Sequence, residues 1–198
     1  MKRSLRIQLI TVVSCIVFLV SACSEASPIK DPLNYEVEPF QFKNQDGENL
    51  SLGDLEGEVW IANFIFTSCE TVCPPMTAHM KQIQNMIETE QLDTKIISFS
   101  VDPEVDTPEK IKEFAKPYEI SFENWSFLTG YTQNEIEDLA FKSFKTFVQK
   151  PETGDQVAHG TSFYLVDQNG VVMKDYSGVN DPPYDQIIKD IKALENKS

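Results

Sequence analysis

Cysteine is scarce in this chain: four occur in 198 residues, and only Cys69 and Cys73 fall where the patterning is that of a folded domain. A pair that close in sequence closes a very short loop and removes little unfolded-state entropy. Scaffolding by disulfides is therefore a poor account of them, and redox or metal chemistry a better one. Basic residues are also few, 17 Lys and Arg against 31 Asp and Glu, for a net charge of −14. That balance excludes binding of nucleic acid or of an anionic membrane surface by charge, and leaves room for cations or a basic partner. Solubility alone explains most of it. Internal repeats and low-complexity segments are absent. Histidine occurs twice, at His79 and His159.

What is present begins with an N-terminal targeting pattern. Lys2, Arg3 and Arg6 precede an almost wholly apolar stretch over residues 9–22. It is too short and one-sided for a membrane span and reads as a secretory signal. It ends Leu19-Val20-Ser21-Ala22-Cys23, which resembles the lipobox of bacterial lipoproteins. The resemblance implies cleavage before Cys23 and lipid on its sulfur, which anchors the protein at the outer face of the cytoplasmic membrane. Losing residues 1–22 removes three basic residues and leaves 14 basic against 31 acidic, a net charge of −17. Cys15 goes with the signal and Cys23 is taken by lipid. The compartment is then one where disulfides persist. Residues 23–38, polar with Pro28 and Pro32, read as a tether, and residues 39–198 as one domain with a real core.

Within that domain, Phe40-Gln41-Phe42 and Leu50-Ser51-Leu52 flank an Asp46-Gly47 turn and predict a β-hairpin. Residues 59–66 form an apolar run of buried-strand type. A helix is expected from Pro74 to about Glu90, with Met76, Met80, Ile83, Met86 and Ile87 on one face. Residues 95–101 predict a second buried strand, residues 108–118 a helix capped by Asp106 or Thr107, and residues 125–128 a short strand. A helix over 133–144 follows. Residues 144–148 and 157–166 are expected to pair, as are 162–167 and 171–176 across Asn169-Gly170. The last helix is expected over 184–194. This order predicts an α/β, thioredoxin-like sheet with an added N-terminal β-hairpin and an inserted hairpin loop carrying His159.

The two cysteines sit where the central strand turns into its helix. Pro74 and Pro75 follow at once, which a helix tolerates in its first turn because those N–H groups lack intrahelical partners. The positive end of a helix dipole lowers thiol pKa. If the intervening turn is helical, the Cα atoms lie roughly 6 Å apart, inside the window for a disulfide, and both sulfurs can reach one metal ion. In a thioredoxin-like sheet the loop carrying His159 lies against that turn. Two thiolates and an imidazole make a soft, low-coordinate set suited to Cu(I) and usable for Cu(II), whereas structural zinc usually takes a fourth protein ligand. His79, on the first helix and well over a turn from Cys73, reads as a packed or surface histidine. Asp102, at the end of the neighbouring strand, is a candidate for positioning a ligand or taking a proton; turn formation with Pro103 accounts for it equally well. Met76 and Met80 have helical spacing and belong to the core.

Cys69-x-x-x-Cys73-Pro74, Asp102-Pro103-x-x-Asp106-Thr107-Pro108, and His159 before Phe163-Tyr164-Leu165-Val166-Asp167 together resemble the Sco/SenC family, from about Phe40 to the C-terminus. The resemblance implies a thioredoxin-like fold and copper held by Cys69, Cys73 and His159. It also implies a role in assembling the dinuclear copper (CuA) centre of cytochrome c oxidase subunit II, with another copper donor or a thiol reductant as further partners. The competing reading is a thiol–disulfide reductase that keeps the copper-ligand cysteines of that subunit reduced; the same thiolates serve both. Thr161 stands where thioredoxins carry a cis-proline, which argues against disulfide exchange alone. A peroxidase of the peroxiredoxin type, which Val72-Cys73-Pro74 resembles, fits poorly, because Glu70 stands where that group needs a threonine and its charge would repel a thiolate.

Overall fold

Strand β4, Trp60–Ile65, is buried at every position because it runs through the middle of the main sheet. It pairs in parallel with β5, Lys95–Ser100, in the register Trp60↔Lys95 to Ile65↔Ser100. On its other side β9, Ser162–Val166, pairs antiparallel through Trp60↔Val166 and Ala62↔Tyr164. A strand flanked on both edges and covered on both faces is apolar throughout, which is why residues 59–66 read as a continuous run rather than an alternation. β6, Trp125–Leu128, adds in parallel beyond β5. β10, Val171–Ser177, and β1, Tyr35–Glu36, add antiparallel beyond β9, so the order is β1-β10-β9-β4-β5-β6. The structure is a computed structural model that describes residues 27–154 and 156–195.

Helix α1, Cys73–Thr89, connects β4 to β5. Its buried face is Met76, Met80, Ile83 and Ile87, the i, i+4, i+7 stripe expected; each of these side chains contributes roughly 1.5–3 kcal/mol of burial. Helix α2, Pro108–Ala115, is capped by Thr107, whose hydroxyl accepts from the Lys110 N–H; a short 3-10 turn, Lys116–Tyr118, continues it. Helix α3, Gln133–Phe144, starts in a Thr132/Glu135 capping box and packs Phe144 against Trp60, Phe64, Phe99 and Tyr164. The last helix, α4, Tyr184–Glu195, lies beside α1, where the Tyr184 hydroxyl meets His79 Nδ1. A parallel β4-α1-β5 crossover, followed by an antiparallel β9-β10 hairpin and a closing helix, is the expected thioredoxin-like fold. The N-terminal hairpin is also present, as β2, Gln41–Lys43, and β3, Asn49–Ser51, with Gly47 at φ +77° in its turn.

Two stretches differ from the sequence reading. The segment expected as a tether is partly built into the domain: Ile29 and Val37 are buried, and Tyr35–Glu36 is an edge strand on Val172 and Val171. Prolines and polar residues disguised it, because an edge strand is held by backbone bonds that composition does not display. The pairing expected between 144–148 and 157–166 shrinks to a two-residue ribbon, β7, Val148–Gln149, with β8, Ala158–His159. Phe144 stays in α3, whose apolar face extends to it, and Lys145 ends the helix in a left-handed conformation, φ +51°.

The sheet positions the site. β9 runs antiparallel to β4, so the start of β9 lies at the carboxyl end of β4. Residues just before Ser162 therefore come down beside residues just after Ile65. Among the described residues no helix is long and apolar enough to cross a membrane.

Candidate metal centre

The cysteine turn is built on hydrogen bonds rather than on helix. After β4 the chain turns at Thr67-Ser68, and the Cys69 N–H donates to the Phe66 carbonyl at 3.3 Å. Residues 70–72 are bends, and α1 begins only at Cys73. The helical turn considered between the cysteines is thus absent: the chain bends through residues 70–72, and Pro74 and Pro75 occupy the first turn of α1. The sulfurs come close all the same. The Cys73 N–H, an unpaired donor of the helix start, donates to Cys69 Sγ at 3.3 Å.

This arrangement divides the two thiols. Cys69 is held far below the ordinary thiol range, at about 3, chiefly because the Cys73 thiol donates to it, with His159 and the backbone N–H groups of Cys73 and Thr71 assisting. Cys73 is pushed up by giving that same hydrogen bond and by burial. The pair titrates as a unit, with the first proton leaving Cys69. Both cysteines are free. Cys69 is 6% exposed and Cys73 fully buried.

His159 enters from β8. Its Nε2 stands 3.7 Å from Cys73 Sγ, its ring lies edge-on to Phe66, and it is 8% exposed. Nδ1 is 2.8 Å from the Gly160 carbonyl oxygen. A carbonyl only accepts, so Nδ1 donates to it, and that bond orients the ring with Nε2 toward the sulfurs. Gly160 suits that position: a Cβ would lie 2.0 Å from Thr146 Oγ1 and force Thr146 to shift.

The other residues singled out by sequence divide sharply. His79 faces Tyr184 and the α1–α4 contact, away from the cysteines. Met76 and Met80 are core. Asp102 is buried, but its carboxylate accepts from Lys150 Nζ at 2.8 Å instead of facing a sulfur. Cys23 lies outside the described residues. Asp106, read only as a possible helix cap, holds the cysteine turn. Its fully buried carboxylate accepts from the Thr67 N–H, from Thr67 Oγ1 at 2.5 Å and from Ser100 Oγ at 2.6 Å. Burial raises its pKa, and the Ser100 and Thr67 bonds oppose that. Gln156 Nε2 donates to the Ser68 carbonyl at 3.4 Å, a direct link from the histidine loop to the turn. Only the Asp106-Thr107-Pro108 motif hinted at any of this; Gln156 and Lys150 left no local signal.

Among the described residues no three His, Cys, Asp or Glu side chains already stand as a closed metal cage. What the fold brings together is the Cys73–His159 contact, with Cys69 one hydrogen bond away. The nearby carboxylates are engaged elsewhere, Asp102 by Lys150 and Asp106 by Thr67 and Ser100. The donors left are two sulfurs and one imidazole nitrogen, a set that fits a soft, low-coordinate ion better than magnesium, calcium or structural zinc.

Fold and site together define a thioredoxin-like protein whose helix-start dithiol faces an imidazole. The SCO1/SenC family model matches residues 30–196, and the chain belongs to that family. It is similar to a crystal structure of a SCO1/SenC family lipoprotein from Bacillus anthracis, at 51% identity and TM-score 0.81 over 84% of this chain and 98% of that one. It is 61% identical to BsSco, described as having a disulfide switch and as a member of the Sco family of cytochrome c oxidase assembly proteins, with TM-score 0.80 over 86% of this chain and 99% of BsSco. A more distant relative, ScoI of Arabidopsis thaliana crystallised with copper bound, is 27% identical with TM-score 0.66 over 78% and 97% of the two chains.

Proposed function

We propose that this protein is a copper-binding assembly factor for cytochrome c oxidase. It takes up one copper ion on Cys69, Cys73 and His159 and passes it to the CuA centre of subunit II. The observation that carries the reading is His159 Nε2, 3.7 Å from Cys73 Sγ, on a ring oriented by the Nδ1–H bond to the Gly160 carbonyl. Family membership, the copper-bound Arabidopsis relative and the oxidase-assembly role of BsSco support it. Copper is cargo here, and the chain's part is to supply soft donors and shelter. Three donors leave copper with an open side, which lets a recipient's ligands join before these let go. Full burial of Cys73 shelters that sulfur from water, while Cys69 keeps slight exposure.

Titration of the reduced protein with Cu(I) against a competing chelator tests this directly. One ion per chain is expected, and loss of binding in Cys69→Ala, Cys73→Ala and His159→Ala. Equal affinity in any of the three removes that residue from the ligand set. Cu(II) bound to thiolate is expected to show intense visible charge-transfer absorption.

The asymmetry of the thiols favours a second activity on the same residues. The Cys69 thiolate attacks a partner disulfide and releases one partner thiolate. The Cys73 thiol then loses its proton and attacks Cys69 Sγ, breaking the mixed disulfide. Two electrons pass to the partner, which leaves as a dithiol, while this chain keeps a Cys69–Cys73 disulfide that a thiol reductant must reset. Turnover unaffected by His159→Ala marks this activity as separate from copper binding. Lipid on Cys23 would keep either reaction at the outer face of the cytoplasmic membrane; release of Cys23→Ala into the soluble fraction is the expected result, and normal retention of a correctly cleaved variant overturns it.

A further inference from the structure

His159 rides on very little secondary structure. Its ribbon pairs only Val148↔His159 and Gln149↔Ala158, and isolated two-stranded ribbons are marginal in water. The segment between the strands includes Pro151, Glu152, Thr153 and Gly154, all exposed. Something else has to hold the imidazole in place. Lys150 directly follows β7 and is the first residue past the strand that pairs with His159. Its Nζ donates at 2.8 Å to Asp102 Oδ1 and at 2.8 Å to Glu104 Oε2. The Asp102 side chain is 3% exposed and that of Lys150 24%. The Lys150 N–H also reaches Glu137 Oε1 on α3 at 3.4 Å. Lysine thus spans from the histidine ribbon to the loop after β5. That loop is fastened in turn to the cysteine turn, because the Asp106 N–H donates to the Asp102 carbonyl while the Asp106 carboxylate holds Thr67.

We propose that Lys150 is the positioning residue of this site: clamped by Asp102 and Glu104, it pins the β7–β8 ribbon to the loop after β5 and so sets His159 against Cys73. The pair is uneven in burial, and removal of the lysine alone leaves the sheltered Asp102 carboxylate without a counter-charge. The ribbon then loses the ion pairs through which Lys150 fastens it to the β5 loop. The copper arm of the test rests on the reading above; the metal-free arm does not.

The experiment compares wild type with Lys150→Met, Lys150→Arg and the double variant Asp102→Asn/Lys150→Met. The double variant leaves no unpaired buried charge and stands in if Lys150→Met does not fold. Hydrogen exchange on the reduced, metal-free proteins is measured first. Exchange of residues 147–150 and 157–160 is expected to speed up about tenfold or more without the lysine, with β4, β5 and α3 unchanged, and to return toward wild type in Lys150→Arg. Cu(I) affinity is expected to fall about tenfold or more, the usual effect of losing a group that orients a ligand, and to recover in Lys150→Arg. Unchanged exchange in the ribbon overturns the proposal whether or not the wild type binds copper. Uniformly faster exchange across the sheet also overturns it, since that marks a general stabilising role. A wild type that binds no copper but shows the local exchange effect refutes the copper reading and leaves the clamp standing.

Discussion

The Asp106 carboxylate takes both the backbone N–H and the hydroxyl of Thr67, two residues before Cys69 and 39 positions away in sequence. No solvent reaches it, so three donors, these two and the Ser100 hydroxyl, depend on a single side chain. Asp106→Ala is expected to lower stability by about 2–4 kcal/mol, the cost of leaving buried donors unpaired, as read by urea unfolding. Asp106→Asn is expected to cost less. The pH dependence follows from the sign of the shift. Burial raises the folded pKa, so the contribution is fully present below the unfolded carboxylate value and is lost as pH rises through the folded value. The stability gap between wild type and Asp106→Asn is therefore expected to narrow as pH rises above the ordinary carboxylate range. A gap that widens with pH would show that the charged form is the one the turn prefers.

Gly160 lies against the Thr146 side chain. Its φ is ordinary, so the constraint is contact: a Cβ there meets Thr146 Oγ1 at 2.0 Å and Thr146 Cβ at 3.2 Å. Gly160→Ala is expected to destabilise by about 1–3 kcal/mol, the range for overpacking, and to weaken copper binding by moving the carbonyl that orients His159. Adding Thr146→Ala removes the nearer atom and is expected to restore most of the stability. A double variant no better than the single one places the strain elsewhere.

Copper is expected to raise the melting temperature, because a ligand bound only by the folded state stabilises it by about 4 kcal/mol at a thousandfold excess over its dissociation constant. Hydrogen exchange is expected to slow most over residues 149–160 and 66–76, which the ion would join. His159→Ala is expected to keep a metal–thiolate contact and lose most of the shift. An equal copper-induced shift in wild type and variant would exclude His159 as a ligand.

Cys69 is expected to keep its reactivity as pH falls. Its pKa is depressed to about 3 by the Cys73 thiol, so the thiolate fraction holds until pH approaches that value, whereas an ordinary thiol loses about tenfold per unit below 8. Iodoacetamide labelling followed by mass spectrometry is expected to give a flat rate for Cys69 from pH 8 to pH 6 and little labelling of the buried Cys73. Oxidation to the Cys69–Cys73 disulfide is expected to abolish copper binding, since it removes both thiolates at once. A tenfold fall per unit at Cys69, or undiminished binding after oxidation, would contradict the assigned roles.

The amino-acid sequence by itself determined the elements and most of their ends. Helix α3 and strand β6 match their expected bounds, because Thr132 and Glu135 form a capping box and residues 125–128 stand between turn signals. It also singled out Cys69, Cys73 and His159 as candidate donors, since a lone thiol pair at a strand-to-helix junction and one histidine before a strand are local patterns, and the fold sets His159 against Cys73. Only the tertiary structure decided how those donors are held. The edge strand at Tyr35–Glu36 exists because β10 offers it a backbone ladder. Asp106 became the keystone of the cysteine turn, and Asp102 the partner of Lys150, because β5 ends beside β4 and Lys150 reaches the loop after β5. Periodicity and capping act over a few residues, whereas these contacts span 39 and 48 positions; a chain carries no local mark of a partner that only the packed sheet brings within reach.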